Sequence, residues 1–145
     1  MSKVEDFLSK TEEQEIVEAI RVAEQNTSGE IRVHLEKTTS TAPFERAVEV
    51  FNLLEMYKTK DSNGVLIYVA VNDKQFVICG DKGINEKVGE DFWNTTKDTI
   101  ATHFKNGKFK QGLVDGILKA GQQLKHHCPY QDDDIDELSN EISIG

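Results

Sequence analysis

Apolar and polar positions along the chain follow two periods, and the switches between them mark out the elements. Ile16, Ala19, Ile20 and Ala23 are spaced by three and four, the signature of a helix with one buried face. Thr11-Glu-Glu-Gln14 ahead of them has the form of a capping box, and Asn26-Thr-Ser-Gly29 stops the helix. Val4, Phe7 and Leu8 before it predict a short helical turn packed on the body. Residues 30–37 alternate instead, with Ile31, Val33 and Leu35 on one face and Arg32, His34 and Glu36 on the other, which is a strand with one well-buried side.

After a polar loop at 38–41, Pro43 suits a first helical position. Phe44, Ala47, Val48, Phe51 and Leu54 then form the apolar stripe of a helix running to about residue 57. Residues 64–71 are apolar at nearly every position, the mark of a central strand covered on both faces. A tight Asn72-Asp73 turn leads into a returning strand at 75–80. Phe92, Trp93, Thr96, Ile100 and Phe104 predict a helix ended by Asn106-Gly107. Phe109, Leu113, Ile117, Ala120 and Leu124 predict another, ended by Pro129. Gly112 and Gly116 lie one turn apart on it, a spacing that allows close approach at a cost of about 1 kcal/mol each in helix propensity.

Strand, helix and strand in that order imply a parallel crossover, with the third strand antiparallel beside the second. The fold class is therefore α/β, a small mixed sheet with helices on both faces. From Gln131 onward the chain is acidic and poor in apolar residues, which predicts a mobile tail at 131–145 behind a single domain at 1–130.

This topology gives the acids meaning. The second strand starts where the third ends, and the first runs parallel to the second. Ser28-Gly-Glu30, Asp61, Asn63 and Asp81 should therefore converge at one end of the sheet, with glycine carbonyls among them. Carboxylates, an amide and carbonyls suit a hard cation: calcium, or magnesium more weakly, held by Asp61, Asp81, Glu30 and Asn63. With so few carboxylates, an affinity of roughly 10⁻⁵ to 10⁻³ M is expected. Asn85, Glu86 and Asp91 could add oxygens, and Asp115 only if the last helix begins at this end. The plain alternative is that Asp61 and Asn63 make a turn, Asp81 caps the following loop and Glu30 pairs with a lysine.

Net charge is −9, but the stretch after Tyr130 carries Asp132, Asp133, Asp134, Asp136, Glu137 and Glu141 with no base. Arginine occurs only at 21, 32 and 46, and no basic stripe forms, so nucleic acid and anionic membrane are poor partners. The N-terminus has no apolar signal core, no run approaches a membrane span, and Cys79 and Cys128 are not spaced for a disulfide framework. These features predict a soluble protein with reduced thiols in the cytoplasm.

Four segments together resemble the TPM domain family, also called the TPM phosphatase family. They are Thr27-Ser-Gly-Glu-Ile-Arg-Val-His34, Asn63-Gly-Val-Leu-Ile-Tyr68, Ile78-Cys-Gly-Asp-Lys-Gly-Ile84 and Gly107-Lys-Phe-Lys-Gln-Gly-Leu-Val-Asp-Gly-Ile117. The resemblance implies a three-layer α/β/α sandwich, Rossmann-like but without a nucleotide fingerprint. It also implies calcium or other divalent-ion binding. Acid-phosphatase activity is attributed to some plant members, and roles in photosystem repair or receptor assembly to others. The reading that follows is a divalent-cation-binding, regulatory module. The enzyme alternative is a metal-dependent acid phosphatase, and a third class is a scaffold that holds a protein partner through a sheet edge or the acidic tail.

The remaining candidates point elsewhere. His126-His127-Cys128 has soft-metal chemistry, but adjacent histidines diverge on a helix and nothing nearby completes a tetrahedron. Asp132-Asp-Asp-Ile-Asp136 lacks the glycine and the last glutamate of an EF-hand loop. His34 reads as a packing residue, His103 as a cation at a helix end, and Trp93 as core. Cys79 has no arginine at loop distance, so cysteine-phosphatase chemistry is not supported, and hydrolysis would have to run through the ion with Lys60 or Lys82 supplying charge.

Overall fold

A computed structural model describes residues 8–25, 27–59, 62–89, 91–127 and 142–144. Helix α1 spans Lys10–Glu24 and is capped by Ser9 rather than Thr11. The Ser9 hydroxyl accepts from the Glu12 N–H at 3.1 Å, and the Glu12 carboxylate accepts from the Ser9 N–H at 3.0 Å. Ser9 and Thr11 carry the same capping chemistry, and Leu8, buried immediately before, fixes the earlier start. The other residues of the N-terminal turn expected around Leu8, Val4 and Phe7, lie outside the described residues.

Strand β1 (Glu30–Glu36) leads through α2 (Pro43–Leu53, with Pro43 in its first turn) to β2 (Gly64–Ala70) and β3 (Gln75–Gly80). A short helix α3 (Lys82–Asn85) follows, then α4 (Asn94–Lys105), α5 (Phe109–Leu124) and β4 (Ser143–Ile144). The sheet order is β3-β2-β1-β4, with β2 parallel to β1 and antiparallel to β3, the mixed sheet that the hydrophobic pattern implies.

Pleating sorts the side chains. Ile31, Val33 and Leu35 join Val65, Ile67 and Val69 under α1, α4 and α5, while Leu66, Tyr68 and Ala70 face Ala47, Val50 and Phe51 of α2. Helices thus cover both faces, and β2 is buried along its whole length, as its unbroken apolar run requires. Helix α5 is clamped from two sides through its glycines. A Cβ on Gly116 would lie 2.5 Å from Ile100 of α4, and one on Gly121 would lie 2.7 Å from the Ala23 Cβ of α1.

Three elements end differently from expectation. Helix α2 stops at Leu53 instead of near residue 57, because Glu55 turns left-handed (φ 56°) and sends Met56 back into full burial. The β2–β3 connection is a four-residue turn over 71–74 rather than a tight Asn72-Asp73 turn, with Lys74 left-handed at φ 54°. The longer turn presents the Asp73 carboxylate to the Thr39 N–H and the Thr38 hydroxyl, at 2.9 and 2.8 Å.

The third difference is at the C-terminus. A mobile tail was expected to reach residue 145, yet Ser143–Ile144 add a fourth strand beside β1. Ile142 packs against the main core and Ser143 is 2.9 Å from His34, so two residues inside a polar tail find specific partners. Residues 128–141, including the Asp132–Asp136 run and Cys128, lie outside the described residues.

Candidate metal centre

Strand register fixes the rim. Glu30 pairs with Gly64, and Val65 with Gly80, so the start of β1, the start of β2 and the end of β3 share one end of the sheet. Two backbone bonds bind the connections together: Glu30 N–H to the Asn63 carbonyl at 3.1 Å, and Asp81 N–H to the Gly64 carbonyl at 2.9 Å. Glu30, Asn63 and Asp81 are therefore brought to one rim. Asp61 lies outside the described residues.

Asn63 is only 4 % exposed. Its side-chain N–H donates to the Ser28 carbonyl at 2.7 Å, and its backbone N–H donates to the Thr59 hydroxyl at 3.0 Å. The amide thus ties the β2 entry to the β1 entry, yet its Oδ1 is buried without a hydrogen-bond partner. Asp81 behaves alike. Its Oδ1 accepts from the Lys82 N–H at 2.8 Å, capping α3, while its Oδ2 is buried without a partner. The cap expected of Asp81 is present, while Asn63 bridges two loops instead of closing a local turn, and each uses only part of its side chain.

A buried, unpaired oxygen costs on the order of 1–3 kcal/mol, so two on one rim need an explanation. Ser62, next to Asn63, adds strain by holding φ at 52° without being glycine. Glu30 is buried, and Asn85 anchors the far side by donating to the Gly80 carbonyl at 3.0 Å. Carboxylate, amide and carbonyl oxygens at the ends of three strands suit a hard cation far better than a soft one. Among the described residues, no group of three His, Cys, Asp or Glu side chains is spaced to hold a metal ion.

Other candidates fall away from the rim. Leu124 is the neighbour of Gly29, so α5 ends at the rim rather than beginning there. Asp115 then sits roughly 13 Å back along the helix, where it accepts from Gln111 and pairs with His103 at 2.9 Å. His127 packs edge-on against Phe92, and its carbonyl accepts from Lys87. Burial, reinforced by Asp81, pushes the Cys79 thiol up, the opposite of an activated nucleophile. Trp93 is core.

A second polar cluster escaped the sequence reading. Glu36, on the face opposite Ile31, Val33 and Leu35, is buried and accepts from Arg46 Nε and Nη2, from the Tyr68 hydroxyl at 2.5 Å, and faces His34 Nε2 at 3.2 Å. Burial pushes its carboxyl up, but the bonds from Arg46, Tyr68 and His34 outweigh this and hold it at about 2. Burial raises Tyr68 to about 12, helped by Glu36, and burial lowers His34 despite Glu36. The visible signal was three polar residues in a row on one strand face, Arg32, His34 and Glu36. What the strand alone hides is that Arg46 of α2 closes over Glu36 and Ser143 of β4 meets His34, so that these two are buried.

A family profile described as TPM domain matches residues 1–123. The chain is similar over its full length to the BA42 protein of the psychrophilic bacterium Bizionia argentinensis, known from NMR, at 63% identity, with 100% of both chains covered and a TM-score of 0.94. An N-terminal domain from P. gingivalis shares 17% identity over 86% of this chain and 82% of that one, with a TM-score of 0.71. The N-terminal domain of cg2496 from Corynebacterium glutamicum shares 11% over 79% and 72%, with a TM-score of 0.65, so these two carry the fold alone. No curated protein matches. No helix among the described residues is long and apolar enough to cross a membrane.

Proposed function

From the premise that this chain belongs to the TPM domain family, we propose that it is a divalent-cation-binding module that takes calcium, and magnesium more weakly, at the strand-end rim. The observation that carries this reading is the pair of buried, unpartnered oxygens, Asn63 Oδ1 and Asp81 Oδ2. Asp81 and Asn63 would hold the ion from β3 and β2, with Glu30 and Asp61 supplying further carboxylate charge. The ion would contribute positive charge and cross-link three loops, so binding becomes a change in rim rigidity that a partner can read.

Titrating Ca²⁺ into ¹⁵N-labelled protein tests this directly. Amide shifts should move at 28–30, 62–64 and 81–86 and saturate with a Kd of roughly 10⁻⁵ to 10⁻³ M. Asp81→Asn separates binding from folding, because asparagine caps a helix as well as aspartate but brings no charge. The variant should melt like the parent without calcium and lose the response. Unmoved rim amides at 10 mM Ca²⁺, or a response that survives Asp81→Asn, would overturn the proposal.

A further inference from the structure

At the opposite side of the sheet from β3, the outer edge of β1 is met by Ser143–Ile144 of the same chain. Even-numbered β1 residues bond to β2, as Glu30 N–H to Asn63 and Glu36 C=O to Val71 N–H demonstrate, so the odd-numbered amides point outward. The outward Ile31 N–H is taken by the Glu24 carboxylate at 3.0 Å. Beyond it, among the described residues, β4 pairs in register with His34 and Leu35, two of the seven residues of β1. Alongside it a groove of about 400 Å³ stays open, lined by Glu13, Gln14, Val17, Glu18, Ile142 and Ile144.

The geometry points to this edge as a strand-addition site for an extended basic peptide of the pattern apolar–Ser/Thr–apolar, with Ile142-Ser143-Ile144 as a built-in competitor. The bound segment displays the recognition chemistry. Main-chain pairing to β1 supplies affinity, the Ser143 hydroxyl contacts His34 Nδ1 at 2.9 Å, and Ile142 packs on the core. Electrostatics favour a different occupant. The groove wall carries Glu13, together with Glu18, whose carboxylate is already paired with Arg21, and the sequence leading to β4 holds Asp132, Asp133, Asp134, Asp136, Glu137 and Glu141 without a base. A segment with lysines flanking the same apolar–hydroxyl–apolar core keeps the pairing and sets positive charge beside Glu13. The competitor persists because its tether gives it a high local concentration.

The test uses the full chain, its Ser143→Pro variant, and two synthetic peptides, Lys-Lys-Ile-Ser-Ile-Lys-Lys and Glu-Glu-Ile-Ser-Ile-Glu-Glu. Proline removes the strand N–H and should free the edge, raising hydrogen exchange at Val33 and Leu35 while leaving the β2–β3 amides protected. The basic peptide should bind Ser143→Pro about tenfold more tightly than the parent, in line with loss of a tethered competitor, and restore that protection. The acidic peptide should bind at least about tenfold more weakly. Glu13→Lys in the otherwise unaltered chain should weaken the basic peptide, a readout independent of the proline. Equal binding of the two peptides, affinity unchanged by Ser143→Pro, shifts away from β1 and α1, or dimerisation of Ser143→Pro in place of peptide binding would overturn the proposal.

Discussion

Replacing Glu36 by glutamine removes one negative charge from beneath α2 and leaves the shape intact. Arg46 loses its bidentate partner, and Tyr68 and His34 must share a single amide oxygen while the new NH₂ group faces donors. A carboxyl held at about 2 against an ordinary 4.5 corresponds to roughly 3 kcal/mol of stability. The Arg46 side chain is 28% exposed, and water screens part of that, so about 2 kcal/mol is expected at pH 7. The pH dependence follows from the sign of each shift. A depressed carboxyl contributes stability that is complete above 4.5 and disappears as the pH falls through about 2. His34 acts the other way: its lowered pKa destabilises the fold as the pH drops below 6.5, and without Glu36 it resists protonation further. Urea unfolding at a series of pH values should therefore show a parent-minus-Glu36→Gln difference of about 2 kcal/mol at pH 7. The gap should widen slightly toward pH 5 and shrink steeply between 4.5 and 2. A difference below about 0.5 kcal/mol at pH 7, or one of equal size at pH 7 and pH 2.5, would refute the reasoning.

Gly121→Ala sets a Cβ 2.7 Å from the Ala23 Cβ and 3.0 Å from its Cα, a backbone contact that cannot rotate away. Overpacking should outweigh the helix-propensity gain of about 1 kcal/mol and leave the variant about 1–2 kcal/mol less stable by urea unfolding, with Ala23→Gly restoring part of the loss. Ser62→Gly relieves a left-handed residue at φ 52° and should raise stability by about 0.5 kcal/mol in the same assay, a gain that would not appear if the loop were unstrained. If the rim binds calcium with a Kd near 10⁻⁴ M, then 10 mM Ca²⁺ should stabilise the parent by about 2.7 kcal/mol, read as a shifted urea midpoint, and Asp81→Asn should abolish most of that shift.

How far the sequence carried each of these features depends on whether its cause is local. The spacing of Ile16, Ala19, Ile20 and Ala23 marks α1 because a helix buries what recurs every three to four residues, and the unbroken apolar run of β2 marks a strand covered on both faces. From those two elements and β1, chain direction alone brings Glu30, Asn63 and Asp81 to one end. Gly112 and Gly116 were legible as contact glycines by their spacing, whereas Gly121 was not, because its partner Ala23 is almost a hundred positions away.

The features that stayed hidden are those whose partners arrive from far along the chain. Glu36 reads as a solvated residue on the polar face of a strand until Arg46 and Tyr68 close over it. Ser143 reads as part of an acidic tail until His34, 109 positions earlier, meets its hydroxyl. The same non-locality separates the two ends of β1 in physical character. On the rim beside its start, Asn63 Oδ1 and Asp81 Oδ2 are buried without a hydrogen-bond partner, the feature on which the proposed cation site rests. Toward its end both carboxylate oxygens of Glu36 are engaged, and a groove lies open beside Ile142 and Ile144. The proposed ion and the proposed peptide strand would meet the fold near opposite ends of the seven-residue strand β1.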